Sequence, residues 1–343
     1  MAIVVLAKDR RNLRERLESI VIGVTRDGRP IRGRDLGATA GMMALLADAL
    51  LPNLVQTTDG TPAFVHTGPF GNIAPGTSSV LCQDMGLRLA EYVVNEVGFG
   101  SDLGVEKYFD IVMQQSGITP AAAALVTTIQ SIRNQGEGHI DRGLSNLLKH
   151  IEILKDFGVP VIAALNRFPG DTDADLKRLA DFCLQHGIAS AVSEVFTKGG
   201  AGTKELAERV VETIAANPLP RAQPIYSLDQ PLIEKIQRVA QKIYGAEDVA
   251  ISDLAKAKLD QFTQWGCAQL PICVAKTQYS LSDDPRLLGA SRGWTLHVKD
   301  VSLSAGAGFV VVITGNIMLM PGLPKVSRAA AIDVDDAGRI LNV

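Results

Sequence analysis

Aromatic residues are scarce, at 5% of 343 positions, and charge of one sign is nowhere concentrated. Lys and Arg total 34 against 37 Asp and Glu, a formal net charge of -3. That balance argues against a nucleic-acid partner held by a basic surface and against a polybasic membrane anchor. Long hydrophobic runs are also missing. The longest, 309–320, contains Gly315 and Asn316 and is too short to span a bilayer. The N-terminal string MAIVVLAKDRRNLRERLESI carries its charges after its apolar run, the reverse of a secretory signal. Cys82, Cys183, Cys267 and Cys273 make no CxxC pair and have no histidine at zinc spacing. They read as reduced, buried thiols. A soluble, cytoplasmic protein is expected.

Several catalytic signatures are missing. The chain has no GxxxxGK[ST] phosphate loop and no GxSxG nucleophile elbow. His66, His139, His150, His186 and His297 show no HExxH or other ligand spacing, so neither a metal site nor a prosthetic group is expected. The string GFGSDLG has GxGxxxG spacing, and no acidic residue follows at the distance of about 20 residues that a ribose contact needs. A Rossmann site is therefore rejected.

What is present is an aliphatic chain, 46% apolar, with 32 glycines. Between 62 and 217, short apolar runs (63–66, 92–97, 123–129, 159–165, 188–192) alternate with amphipathic stretches (77–90, 105–115, 140–157, 174–186, 203–216). Strands without polar alternation, interleaved with helices, predict an α/β fold with a mostly parallel sheet covered on both faces. Residues 1–61 read as a helical segment completing that domain, with helices over 12–22 and 35–51. A proline-rich linker follows Asn217, and 218–343 reads as a smaller α+β domain with helices over 232–244 and 252–265 and strands over 272–276, 295–302 and 309–320.

Ligands of open parallel sheets bind beyond the carboxyl ends of the strands. Five loops qualify by position and are expected to converge at one edge. The first, 66–76, puts glycines before a helix, where backbone N–H groups can approach an anion. In the second, 98–104, Asp102 and Glu106 read as helix-start carboxylates favoured by the dipole. Glu96, at the end of an apolar run, is the better functional candidate. The third, 131–138, carries Arg133. The fourth places Asn166 after the run VIAAL, and Phe168 there has no obvious core face. The fifth carries Phe196 beside Lys198 and glycines. Two phenylalanines on neighbouring loops could sandwich a flat heteroaromatic ligand, worth about 0.5–1.5 kcal/mol beyond burial.

The strings PNLVQT, PAFVHTGPFGNIAPG, YVVNEVGFGSDLGVEKYFD, GVPVIAALNRFPGDTDA, SEVFTKGGAG, KTQYSLSDDPRLLG and VSLSAGAGFVVVITGNIMLMPGLPK closely resemble formate–tetrahydrofolate ligases. The resemblance implies a P-loop-hydrolase-like domain, a homotetramer, and ATP-dependent joining of formate to tetrahydrofolate through formyl phosphate, with Mg2+ accompanying ATP. It places folate at Phe168, Pro169, Phe196 and Lys198, with phenylalanine at 196 where the family usually has tryptophan. Asn166, Glu194, Gly199 and Gly200 would line the nucleotide side. Gly68, Phe70 and Asn72 would belong to the formyl-phosphate pocket, and His66 and Glu96 are the catalytic candidates. It also implies departures. The family's phosphate loop and its formyl-phosphate arginine are expected upstream of residue 1, on a further segment or subunit. The signature VATVRALKxHGG appears as VTTIQSIRNQGEG, with Gln130 for arginine and Glu137 for glycine, and Ser327 replaces a proline. The alternative is a non-catalytic folate- or nucleotide-binding derivative of the ligase.

Overall fold

A computed structural model of the chain describes residues 1–343 other than 219–221, 316, 318–324, 328–330, 337–338 and 342–343. The chain opens with helices α1 (Ala2–Leu6) and α2 (Arg10–Ser19). Asp9 caps α2 by accepting from the Asn12 N–H at 2.7 Å. An antiparallel ribbon of β1 (Val21–Val24) and β2 (Pro30–Arg32) follows. The helix expected over 35–51 is broken. Gly37, at φ 65, separates a 3-10 turn (Gly33–Leu36) from α3 (Thr39–Leu45), and turns fill the rest.

The run at 63–66 is not a strand of a parallel sheet. β3 (Asn53–Gln56) and β4 (Pro62–Val65) form an antiparallel hairpin with Asn53 opposite Val65. The connection carries Asp59-Gly60, a turn-forming pair, and is too short for the crossover a parallel neighbour requires. Residues 92–97 are not a strand either. They follow α4 (Val80–Leu89), and Val93 packs on its Gly86. Asn95 donates to the Gly76 carbonyl and accepts from Thr77 Oγ1, which binds the segment to a loop instead of a sheet. A helical stretch of largely wide turns over 101–116 ends in α5 (Gln114–Ser116).

The other three apolar runs do form a parallel sheet. β5 (Ala123–Thr127) is followed by α6 (Ile129–Gln135) and α7 (Ile140–Asp156), and β6 (Val161–Asn166) by α8 (Asp173–Gln185). β7 (Ala189–Ser193) leads through α9 (Val195–Lys198) to α10 (Lys204–Ala216). The order is β5-β6-β7, with Ala123 opposite Val161 and Asn166 opposite Ser193. β6 is central and buried as far as Leu165, which is why its sequence shows no polar alternation.

Beyond the linker lie α11 (Leu232–Val239), β8 (Asp248–Ile251), α12 (Asp253–Gln264), β9 (Ile272–Ala275), β10 (Thr295–Ser304) and β11 (Phe309–Thr314). They build a mixed sheet of order β8-β10-β11-β9, in which only the central pair is antiparallel. β8 was not expected from the sequence. β11 stops at Thr314, and most of the expected run to 320 lies outside the described residues, as does part of the linker. A small ribbon of β12 (Asp333–Val334) and β13 (Ile340–Leu341) completes the described chain. One apolar core runs from Val5 through Phe109, Phe157 and Leu165 to Val312, so the parallel and mixed sheets share it. No helix among the described residues is long and apolar enough to cross a membrane.

Candidate active site

Two loops at the carboxyl end of the parallel sheet carry the aromatic pair. The Arg167 N–H donates to the Ser193 carbonyl at 2.8 Å, tying the loop after β6 to the end of β7. The turn at 168–171 is closed twice: Phe168 N–H donates to Asp171 Oδ2 at 2.8 Å, and Asp171 N–H to the Phe168 carbonyl at 3.1 Å. Phe168 and Phe196 are thereby placed with ring centroids 5.9 Å apart and planes tilted by 40°. Phe196 is 70% exposed and Phe168 39%, so neither ring is spent on the core. Pro169 is exposed beside them.

The polar groups around this pair are of two kinds. Lys198 Nζ meets Glu194 Oε2 at 2.5 Å, one helical turn apart on α9 and its cap. Asn166, at the last position of β6, keeps a buried Oδ1 that has no hydrogen-bond partner. A buried acceptor left unpaired at the end of a central strand is costly unless a ligand donor meets it. The Gly200 N–H donates to Asp59 Oδ2 at 3.2 Å, so the hairpin tip touches the same loop.

The remaining predicted residues gather elsewhere. Gly68, Phe70 and Asn72 lie on the loop 66–76, whose contacts include Phe99, Gly104, Lys107 and Tyr108. The Phe99 ring packs against Gly71, leaving no room for a side chain there. Lys107 Nζ donates to the Asn72 carbonyl at 3.0 Å. His66 Nε2 meets the Ala49 carbonyl at 2.9 Å, and its Nδ1 is buried and unpaired. Glu96 is exposed on the unpaired segment 92–97, not at a strand end. The five loops therefore fall into linked groups: the first with the second, and the fourth with the fifth. Arg133, of the third, pairs at 2.9 Å with Asp175 in the first turn of α8, the helix that follows the fourth.

Sequence reasoning missed the charged floor beneath the second loop. Asp102 begins a helical stretch as expected, yet it is buried and pairs with the fully buried Lys276 at 2.7 Å. Burial works against the Asp102 carboxylate, but Lys276 outweighs it and holds its pKa below the ordinary range. Lys276 also donates to the carbonyls of Thr277 and Ser280 and lies 5.1 Å from the Tyr244 ring centre. Glu106 is fully buried, contrary to its reading as an ordinary helix-start carboxylate. Burial, reinforced by Asp110, pushes its pKa well up. Burial likewise pushes Asp110 up to about 8. Both Glu106 oxygens and Asp110 Oδ2 are buried without a hydrogen-bond partner, so both groups favour the neutral, protonated form. Asp110 Oδ1 also accepts the Ile225 N–H at 2.8 Å, anchoring the linker. The only local signal was the crowding of acids and a lysine in GFGSDLGVEKYFD. Its partner Lys276 lies far along the chain.

The altered signature has its own geometry. Glu137 stands at φ 52, in the left-handed region where glycine is at ease. The Gly289 N–H donates to Gln135 Oε1 at 2.9 Å, and Gln135 Nε2 to the Tyr279 carbonyl at 3.1 Å. A cleft of about 400 Å³ opens there, lined by Gln135, Glu137, Arg142 and Arg286 among others.

A sequence model of the family described as formate--tetrahydrofolate ligase matches residues 1–343. The chain belongs to the formate–tetrahydrofolate ligase family. Membership gives the aromatic pair a context that geometry alone lacks. A ligase of this family handles a flat pterin ring, and exposed phenylalanines held side by side by strand-end hydrogen bonds are suited to stacking on one. In this ligase-family chain the rings touch each other. Their centroids, 5.9 Å apart, are closer than the about 7 Å that two optimal carbon–carbon contacts across an inserted flat ring would span.

Proposed function

We propose that this chain takes part in the ATP-dependent joining of formate to tetrahydrofolate, giving 10-formyltetrahydrofolate, and that it supplies the folate side of the site. The placing of Phe168 beside Phe196 at the ends of adjacent parallel strands carries this proposal. The pterin lies between the two rings, with Pro169 beside it. Lys198 draws the glutamate carboxylates of the substrate. Glu194, Gly199 and Gly200 wall the nucleotide side, the two glycines also bordering the folate tail, and the unpaired Asn166 Oδ1 accepts from the adenine amino group. ATP enters with Mg2+. Formyl phosphate, made when formate oxygen takes the γ-phosphoryl group, sits against Gly68, Phe70 and Asn72, with His66 and Glu96 as the candidate proton-handling groups. The folate amine then takes the formyl carbon and phosphate leaves.

The β- and γ-phosphates need a preorganised cradle with a cation. Residues 1–343 contain no GxxxxGK[ST] string, and the proposal assigns that cradle to a further segment or subunit. In this scheme 62–217 carry the ligand loops, 1–61 and 218–343 brace them, and the working form is a cytoplasmic homo-oligomer. The competing proposal, a folate- or nucleotide-binding protein without ligase activity, is favoured by Gln130 and Glu137 in the signature segment.

Two assays decide between them. The purified chain is expected to bind tetrahydrofolate in calorimetry. Its formate-dependent ligase turnover alone should lie far below that seen after a phosphate-loop segment is supplied in trans, since a single lost donor typically costs about 10²–10³ in rate. Full turnover by the chain alone would overturn the assignment of the cradle. Binding without turnover in any combination would favour the non-catalytic protein.

A further inference from the structure

The β3–β4 hairpin is a two-stranded sheet of its own, and β3 is exposed along its whole length. A lone ribbon of this kind is marginal in water, so its place depends on what holds its ends. At the base, the following residue His66 meets the Ala49 carbonyl. At the tip, Asp59 Oδ2 accepts the Gly200 N–H across 141 positions of sequence. A methyl group built on Gly200 would lie 3.0 Å from that oxygen, and one on Gly199 3.8 Å from Oδ1, so no side chain stands between the carboxylate and the backbone. Lys198, next in line, is paired with Glu194 and not with Asp59.

A carboxylate laid on a glycine backbone beside a lysine is the arrangement that recognises a ligand carboxylate. Here the protein's own residue supplies it. We infer that Asp59 is an internal stand-in for a substrate carboxylate: it occupies the Gly199–Gly200 backbone in the free protein and is displaced by a glutamate-bearing folate, making the β3–β4 hairpin the latch of the folate site. The inference rests on the folate reading of Phe168 and Phe196. Its energetics suit an exchange. A solvent-exposed hydrogen bond of 3.2 Å is a weak tie, readily replaced by an equivalent one from the ligand.

The test compares the wild type with Asp59→Ala and Asp59→Asn, using tetrahydrofolate and 6-methyltetrahydropterin, which has the ring and no carboxylate. Both variants change an exposed residue, and unchanged thermal unfolding midpoints confirm that they fold. Each should bind tetrahydrofolate roughly 3-fold to 10-fold more tightly than the wild type, the worth of one exposed charge-assisted hydrogen bond. Affinity for 6-methyltetrahydropterin should not change. Equal or weaker tetrahydrofolate binding by the variants overturns the latch. An equal gain with the carboxylate-free pterin overturns it too, because the tip would then act as a simple cover. Phe168→Ala separates the two levels. If it weakens binding of both compounds, the folate reading stands whatever Asp59 does. If neither the wild type nor any variant binds either compound, the folate reading falls and the latch falls with it.

Discussion

Phe168 and Phe196 stand 5.9 Å apart because a single backbone bond, from Arg167 to the Ser193 carbonyl, sets their two loops side by side. The bond is possible only because β6 and β7 are neighbours in register, with Asn166 opposite Ser193. The aromatic site is thus a consequence of strand order.

Phe168→Ala should weaken tetrahydrofolate binding by about 1–3 kcal/mol, one stacked ring plus its buried area. Calorimetry on the folded variant measures it. Affinity equal to that of the wild type would remove the aromatic clamp.

Glu137→Gly should stabilise the chain. A side chain in the left-handed region costs roughly 1–2 kcal/mol, while glycine gives back about 0.4–1 kcal/mol through the freer unfolded chain. The contact between Arg142 and Glu137, at 3.4 Å and exposed, contributes little. A net gain of about 0.5–1 kcal/mol is expected in urea titrations, and a loss would mean that this carboxylate has a partner of greater worth.

Asp110→Asn should flatten the pH dependence of stability. In the folded chain burial raises this group to about 8 from an ordinary 3.8. The folded form therefore keeps a proton that the unfolded chain releases, and wild-type stability declines as pH rises from about 4 to about 8. One proton corresponds to about 1.4 kcal/mol per pH unit. Asn keeps an oxygen for the Ile225 N–H but cannot titrate, so its decline should be less steep by up to that amount. Asp102, held low by Lys276, titrates below this window. Parallel curves for the two proteins across pH 4–9 would contradict the assignment.

Lys276→Met leaves Asp102 buried without its cation, a loss expected to cost about 3–5 kcal/mol. Adding Asp102→Asn should recover part of that loss, since two neutral groups carry no unpaired charge. The coupling read from the double-mutant cycle checks it; simple additivity would mean that the pair does not act as a unit.

The sequence by itself determined the strands at 161–166 and 189–193 and the helices that follow them. A parallel strand covered on both faces must be continuously apolar, and a helix covering it must repeat every three to four residues. Phe168 and Phe196 were legible for a related reason, as aromatics among loop residues with no apolar face to join. The pairing of β4 was not legible, because the run PAFV fits a parallel strand and a hairpin equally well. Only the antiparallel register with Asn53–Gln56 decided between them. Tertiary structure alone likewise turned Asp102 and Glu106 inward, brought Lys276 beneath them and carried Asp59 to Gly200. Local periodicity records which face of an element is buried. It holds no record of which distant residue will meet that face, and charge pairs made across the chain are settled only when packing excludes water from both partners.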